Sequence, residues 1–128
     1  MTGSRDWTDQ QAIAEALADA VHSIPVDQET VLVSGACPRG ADALAEQWAR
    51  RYGLTIERHR AEDFGPWPAC GPIRNKHMVQ LGADLCIAFI GPCTSSRCHR
   101  PRPHPSHGAS HCARLAEAAG IPVRRITT

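Results

Sequence analysis

Seven residues able to bind a metal, Cys93, Cys98, His99, His104, His107, His111 and Cys112, fall within the twenty positions of CTSSRCHRPRPHPSHGASHC. Thiolate sulfur and imidazole nitrogen are favoured zinc ligands, and the four residues between Cys93 and Cys98 lie within zinc-ligand spacing. One reading is a structural zinc held by Cys93, Cys98 and two of His107, His111 and Cys112, with His99 and His104 as further completing candidates. The other is a mobile polar loop, because the prolines at 101, 103 and 105 restrict which ligands converge. A disulfide between Cys93 and Cys98 is disfavoured in a reducing cytosol.

A second set of residues points to phosphate chemistry. Four stretches read as loops leading into helices: TGSRDWTD, SGACPRGAD, DFGPWPACGPIRN and SHGASH. Gly3, Gly35, Gly40 and Gly108 lie in them, and glycine lets backbone amides approach a phosphate with no side chain in the way. Taken singly, each glycine is explained as well by a tight turn. Arg5, Arg39 and Arg74 add guanidinium groups, the usual bidentate partners of phosphate. Asp42 either accepts from a ribose hydroxyl or caps its helix, and Asp6 and Asp63 stand alike. Trp7 and Trp67 lie on loops, where a ring either stacks on a base or packs at an edge. Ser106, Gly108 and Ser110 offer hydroxyls and amides to a phosphate, and His111 is either a general acid or base or an exposed side chain.

These residues need a scaffold, and the hydrophobic pattern supplies one. Residues 9–23 place Ile13, Leu17, Ala20 and Val21 at helical spacing behind Thr8 or Asp9 as N-cap. Residues 30–33 read as a strand, 35–40 as a glycine-bracketed turn, and a helix carrying Leu44, Ala45 and Trp48 follows and stops at Gly53. LTIERHR alternates as a strand and GPWPACGP breaks the chain. A helix over 73–81, the strand DLCIAFI, the helix ASHCARLAEAAG and the short strand IPVRRI complete the pattern. Strands alternating with helices imply right-handed crossovers between parallel strands, hence a three-layer α/β, Rossmann-like sandwich with a mostly parallel sheet. The strand that ought to feed Gly3 and Ser4 is missing or reduced to a stub.

Length and composition fit a single domain of 128 residues. Charged residues make up 21% and the net charge is +1, so no basic field exists to hold nucleic acid or anionic lipid. Apolar runs are strand-sized and the N-terminus has no leader pattern, so the chain reads as cytoplasmic with its six cysteines reduced.

TGSRDWTD, GACPRGADALAEQWA, GPIRNKHMV, GADLCIAF and HGASHCARLAEAAGIPV, in that order, resemble the YspA-like, cpYpsA-related branch of the SLOG superfamily. These are small Rossmann-like proteins common in actinobacteria and their phages. The superfamily also groups the lonely-guy phosphoribohydrolases, the DNA-processing protein Smf/DprA and sensor domains of bacterial conflict systems. The resemblance implies a pocket for a nucleotide-like ligand and not one reaction. Gly3 and Ser4 match its first loop, and Gly35, Gly40 and Asp42 its second. Arg74 and Met78 match the lonely-guy arginine motif, with Asn75 where lysine follows. In the hydrolases' phosphate motif, aligned on Gly108, Ala109 stands for threonine and Cys112 for the catalytic glutamate. Residues 92–106 read as an insertion before the phosphate-facing turn.

The leading expectation is therefore a domain that senses or sequesters a nucleotide or nucleotide-derived small molecule. It would bind through Gly3, Ser4, Arg5, Gly35, Arg39, Gly40, Asp42, Arg74, Asn75, Gly108, Ala109 and Ser110. Two alternatives are kept. The first is an N-glycosidic hydrolase acting on nucleotides through Arg74 with Asp63 or His111, Glu62 being a further substitute acid. The second is a zinc-stabilised interaction module. The resemblance also implies dimerisation through helices beside the pocket, with Trp48 on such a face.

Overall fold

The computed structural model describes residues 1–128. Helix α1 (Gln10–His22) starts where the side chain of Asp9 accepts from the Ala12 amide at 2.9 Å, and it buries Ile13, Ala16 and Leu17. Strand β2 (Val31–Ser34) leads into α2 (Gly40–Arg51), whose Ala41, Ala45 and Ala49 leave room for close packing. Strand β3 (Thr55–Arg58) is followed by a short 3-10 turn (Ala61–Phe64) and α3 (Cys70–Leu81). That last helix begins three residues before the expected Ile73. Gly71 and Pro72 are tolerated because first-turn residues need donate no intrahelical hydrogen bond. Strand β4 (Cys86–Ile90), α4 (His107–Ala118) and β5 (Val123–Thr127) finish the chain.

The expected stub is present: β1 is Thr2–Gly3, two residues long, and it pairs parallel with β4, Thr2 opposite Ala88 and Gly3 opposite Phe89. Strand β5 flanks β4 on its other side, and β2 pairs with β3; every one of these pairings is parallel. The Met1 amino group donates to the Val33 carbonyl at 2.8 Å and so joins the two sheets edge to edge. Read across that bond, the strand order is β3-β2-β1-β4-β5, and it reverses direction between β1 and β4.

All five residues of β4 are buried, as a central parallel strand with both faces covered requires. Ile87 and Phe89 point to one face, where α1 and α2 supply Ile13, Leu17, Ala45 and Ala49. Ala88 and Ile90 point to the other, against Ala109 and Ala113 of α4, which packs beside α3. These are the three layers that the strand-helix alternation calls for. No helix is long and apolar enough to cross a membrane.

Candidate functional site

The strand order reverses between β1 and β4, and a polar knot ties together the loops that leave them. Ser4, buried at the end of β1, accepts from the Gly91 amide at 2.8 Å through its hydroxyl and shares a hydrogen bond of 2.7 Å with the Ser106 hydroxyl. Its backbone carbonyl accepts from Ala41 at 3.1 Å, in the first turn of α2. Ser4 thus gathers three loop ends at the carboxyl edge of the sheet, the edge where such folds bind ligands.

Beside it, an arginine and an aspartate side chain converge on Gly35. Arg74, in the first turn and a half of α3, donates from Nη1 to the Gly35 carbonyl and, at 3.2 Å, to that of His59; its Nε donates to Asn75 Oδ1 at 2.9 Å. The Asp42 carboxylate accepts from the Cys37 amide at 3.1 Å, and so braces the β2–α2 loop from inside α2. A methyl group on Gly35 would sit 2.6 Å from Arg74 Nη1 and 3.0 Å from Asp42 Oδ2, so only glycine lets both side chains reach this point. Neither is fully used. Arg74 Nη2 and Asp42 Oδ1 make no hydrogen bond within the protein, and since no unpartnered side-chain polar atom is sealed from solvent, both keep some contact with it. Burial pushes the Asp42 carboxyl above the usual carboxylate range, against the pull of the Cys37 amide and Arg74.

The remaining expected residues divide. Gly3 and Gly40 serve the fold: a side chain on Gly3 would strike Ala41, and one on Gly40, at φ +73°, would strike the Ser4 carbonyl. Asp42 does not cap α2; Arg39 occupies the cap position and its side chain caps nothing. Arg39 instead approaches the Asp6 carboxylate at 3.7 Å in solvent, and Arg5 lies 4.7 Å over the exposed Trp67 ring. Trp7 is core, 4% exposed and edge-on to Phe89, with its indole donating to the Asp9 carbonyl. Gly108 has open space around it, Ala109 is buried against β4, and Ser110 lines a polar cleft of about 330 Å³ with Arg100 and Arg114.

Asn75 is buried and reaches from α3 to α4, its amide nitrogen 3.4 Å from both the Gly108 carbonyl and His111 Nδ1. Because that nitrogen donates, His111 Nδ1 accepts and its proton sits on Nε2. Burial, then the Arg114 charge, lowers the His111 pKa and so favours the neutral ring. Asp63 is exposed in the 3-10 turn, with no side-chain hydrogen bond, and Glu62 pairs with Arg60 at 2.6 Å. Neither acid is joined to the Arg74 cluster by any hydrogen bond.

The Cys/His stretch forms a loop pinned at its base, where the Cys93 amide donates to the His104 carbonyl at 2.8 Å and Ser106 to Gly91 at 2.9 Å. Cys93, Cys98, His104 and His107 bring their ligand atoms within 4.8 Å of one another. His111 and Cys112 stand apart from this set: His111 turns to Asn75, and Cys112 is buried beside Cys86, whose thiol pulls the Cys112 pKa down. His99 is exposed and takes no part. All six cysteines are free thiols.

Sequence reasoning missed Glu46, which is 4% exposed and is held by the Ser34 hydroxyl at 2.8 Å, Arg50 at 2.9 Å and Arg58 at 3.2 Å. It fixes the carboxyl end of β2, from which the Gly35 loop departs. The sequence signal was slight: an acid on the alanine-bearing face of α2, three and four residues from Ala49 and Asp42.

A parallel sheet covered by helices on both faces, with charged and hydroxyl groups converging where its strand order reverses, defines a Rossmann-like α/β protein. The chain belongs to the YspA, cpYpsA-related SLOG family, whose model matches residues 1–63, from β1 to the 3-10 turn. It is 39% identical over 129 residues to the Gene 61 protein of Mycobacterium phage D29, a match covering 96% of this chain and 90% of that protein. No solved structure matches it.

Proposed function

We propose that this protein binds a nucleotide or nucleotide-derived small molecule at the carboxyl edge of its sheet, and that it senses or sequesters that ligand. The observation that carries the reading is the convergence on Gly35 of a guanidinium and a buried carboxylate, each with one polar atom left toward solvent. Arg74 Nη2 suits a phosphate oxygen and Asp42 Oδ1 a ribose hydroxyl. The start of α4 beside the Ser4–Ser106 pair, where the Gly108 and Ala109 amides precede the first intrahelical bond, supplies amides and a helix dipole for a second anionic group. Family membership supports the same ligand class.

The test is thermal unfolding of the protein against a panel of nucleoside phosphates, cyclic nucleotides and NAD. A ligand at a hundred times its Kd stabilises the folded state by about 2.7 kcal/mol. Stabilisation by one ligand class, lost in Arg74→Ala, supports the reading; no stabilisation by any of them contradicts it.

One observation favours a second reading, N-glycosidic hydrolysis of the same ligand. Asp42 combines burial, a raised pKa and a neighbouring arginine, the setting in which a carboxyl group takes on acid-base work. Free base released by the wild-type protein and not by Asp42→Asn would establish it.

A further inference from the structure

Loop 93–106 has no means of burying apolar surface. Between Cys93 and Ser106 every residue is polar, proline, cysteine or histidine, and all but Cys98 and His104 are exposed. Backbone bonds pin its base, Thr94 donates to Asp6 and Arg102 to the Ser95 carbonyl at the surface, and the side chains of Cys98, His104 and His107 meet one another.

The distances among those side chains are those of a coordination shell. Zinc binds sulfur at about 2.3 Å and nitrogen at about 2.0–2.1 Å, so a tetrahedron has nitrogen–nitrogen edges of about 3.3 Å and sulfur–nitrogen edges of about 3.5 Å. Cys98 Sγ lies 3.4 Å from His104 Nε2 and 3.3 Å from His107 Nε2, and the two Nε2 atoms are 3.3 Å apart. Three edges of one face therefore match. Cys93 Sγ completes the set, within 4.8 Å of the others, from the buried base of the loop.

The protonation pattern agrees. His104 Nδ1 lies 2.9 Å from the Pro101 carbonyl, which can only accept, so the proton of the neutral ring is on Nδ1 and the Nε2 lone pair points into the cluster. A backbone carbonyl on the far nitrogen is the usual outer support of a zinc-bound histidine.

We infer that Cys93, Cys98, His104 and His107 form a closed, four-coordinate structural site for zinc. The ion clips the loop to the first residue of α4 and takes no open position for a substrate. It stabilises the end of the loop that carries Ser106, the partner of Ser4. The site does not depend on the nucleotide reading.

The experiment is elemental analysis of the untagged protein purified without chelators, paired with cobalt titration of the metal-stripped wild-type chain. One zinc per chain is expected, with its loss in both Cys98→Ser and His104→Ala and its retention in His111→Ala and Cys112→Ser. Cobalt should give the visible absorption of a tetrahedral thiolate-ligated ion, saturating at one equivalent; this reading survives even if the variants fold poorly. Protein with substoichiometric zinc and no such cobalt spectrum, or zinc retained in a Cys98→Ser/His104→Ala double variant, would overturn the site.

Discussion

The hydroxyls of Ser4 and Ser106, 102 positions apart in the chain, meet at 2.7 Å across the point where the strand order reverses. Ser4 also accepts from the Gly91 amide in a buried position, so this one side chain ties β1 to both ends of the inserted loop. Ser4→Ala leaves that amide without its acceptor, at a cost of about 1–3 kcal/mol. Chemical denaturation should register the loss, whereas Ser106→Ala, half-buried and closer to water, should cost less.

Arg74 holds the Gly35 and His59 carbonyls while keeping Nη2 free, so its removal affects loop and ligand together. Loss of one charged hydrogen bond is worth about 1.5–3 kcal/mol, and titration calorimetry should show ligand affinity falling by about tenfold to a hundredfold in Arg74→Ala. Arg74→Lys should recover little of it, because an ammonium cannot donate to the carbonyls and to a phosphate in the same fork geometry.

Gly35 and Gly108 make opposite predictions. A methyl group at Gly35 meets Arg74 and Asp42, whereas at Gly108 it meets nothing within 4 Å. Gly35→Ala should cost about 1–3 kcal/mol and weaken binding, as overpacking does. Gly108→Ala should leave the unfolding midpoint no lower; a marked fall there would mean that the start of α4 is packed more tightly than its geometry indicates.

Asp42 gives a pH test with a definite sign. Burial raises its folded pKa above the ordinary value of 3.8, so the folded state binds the proton more tightly than the unfolded chain. Its ionisation therefore destabilises the fold as pH rises past 3.8 toward the raised value. Asp42→Asn keeps an acceptor for the Cys37 amide and removes that charge. The variant should be at least as stable as wild type at neutral pH, with its advantage shrinking as pH falls toward 3.8, while its ligand affinity drops. Denaturation curves across that range check the sign.

Much of this was legible in the sequence because hydrophobic periodicity is local. The unbroken apolar run through Ile87 and Phe89, the glycine-bracketed turn at Gly35 and the Asp9 cap can each be read within a few residues. What could not be read depends on distant partners. Trp7 looked available for stacking, but β4 lies beneath it and turns it into core. His111 and Cys112 looked better suited to metal than His104, yet they lie a full turn inside α4, where Asn75 and Cys86 claim them. His104 is brought opposite Cys93 by a backbone bond that spacing does not reveal. Glu46 reads as a surface charge until Ser34, Arg50 and Arg58 close over it.

The most direct test of the central claim is native mass spectrometry of the protein mixed with the nucleotide and NAD panel, run in parallel on Arg74→Ala. The expected result is one added ligand mass on the wild-type chain that is absent or sharply reduced on the variant. A wild-type chain free of added ligand mass under every condition, or equal ligand retention by Arg74→Ala, would contradict a nucleotide site at the Gly35 edge.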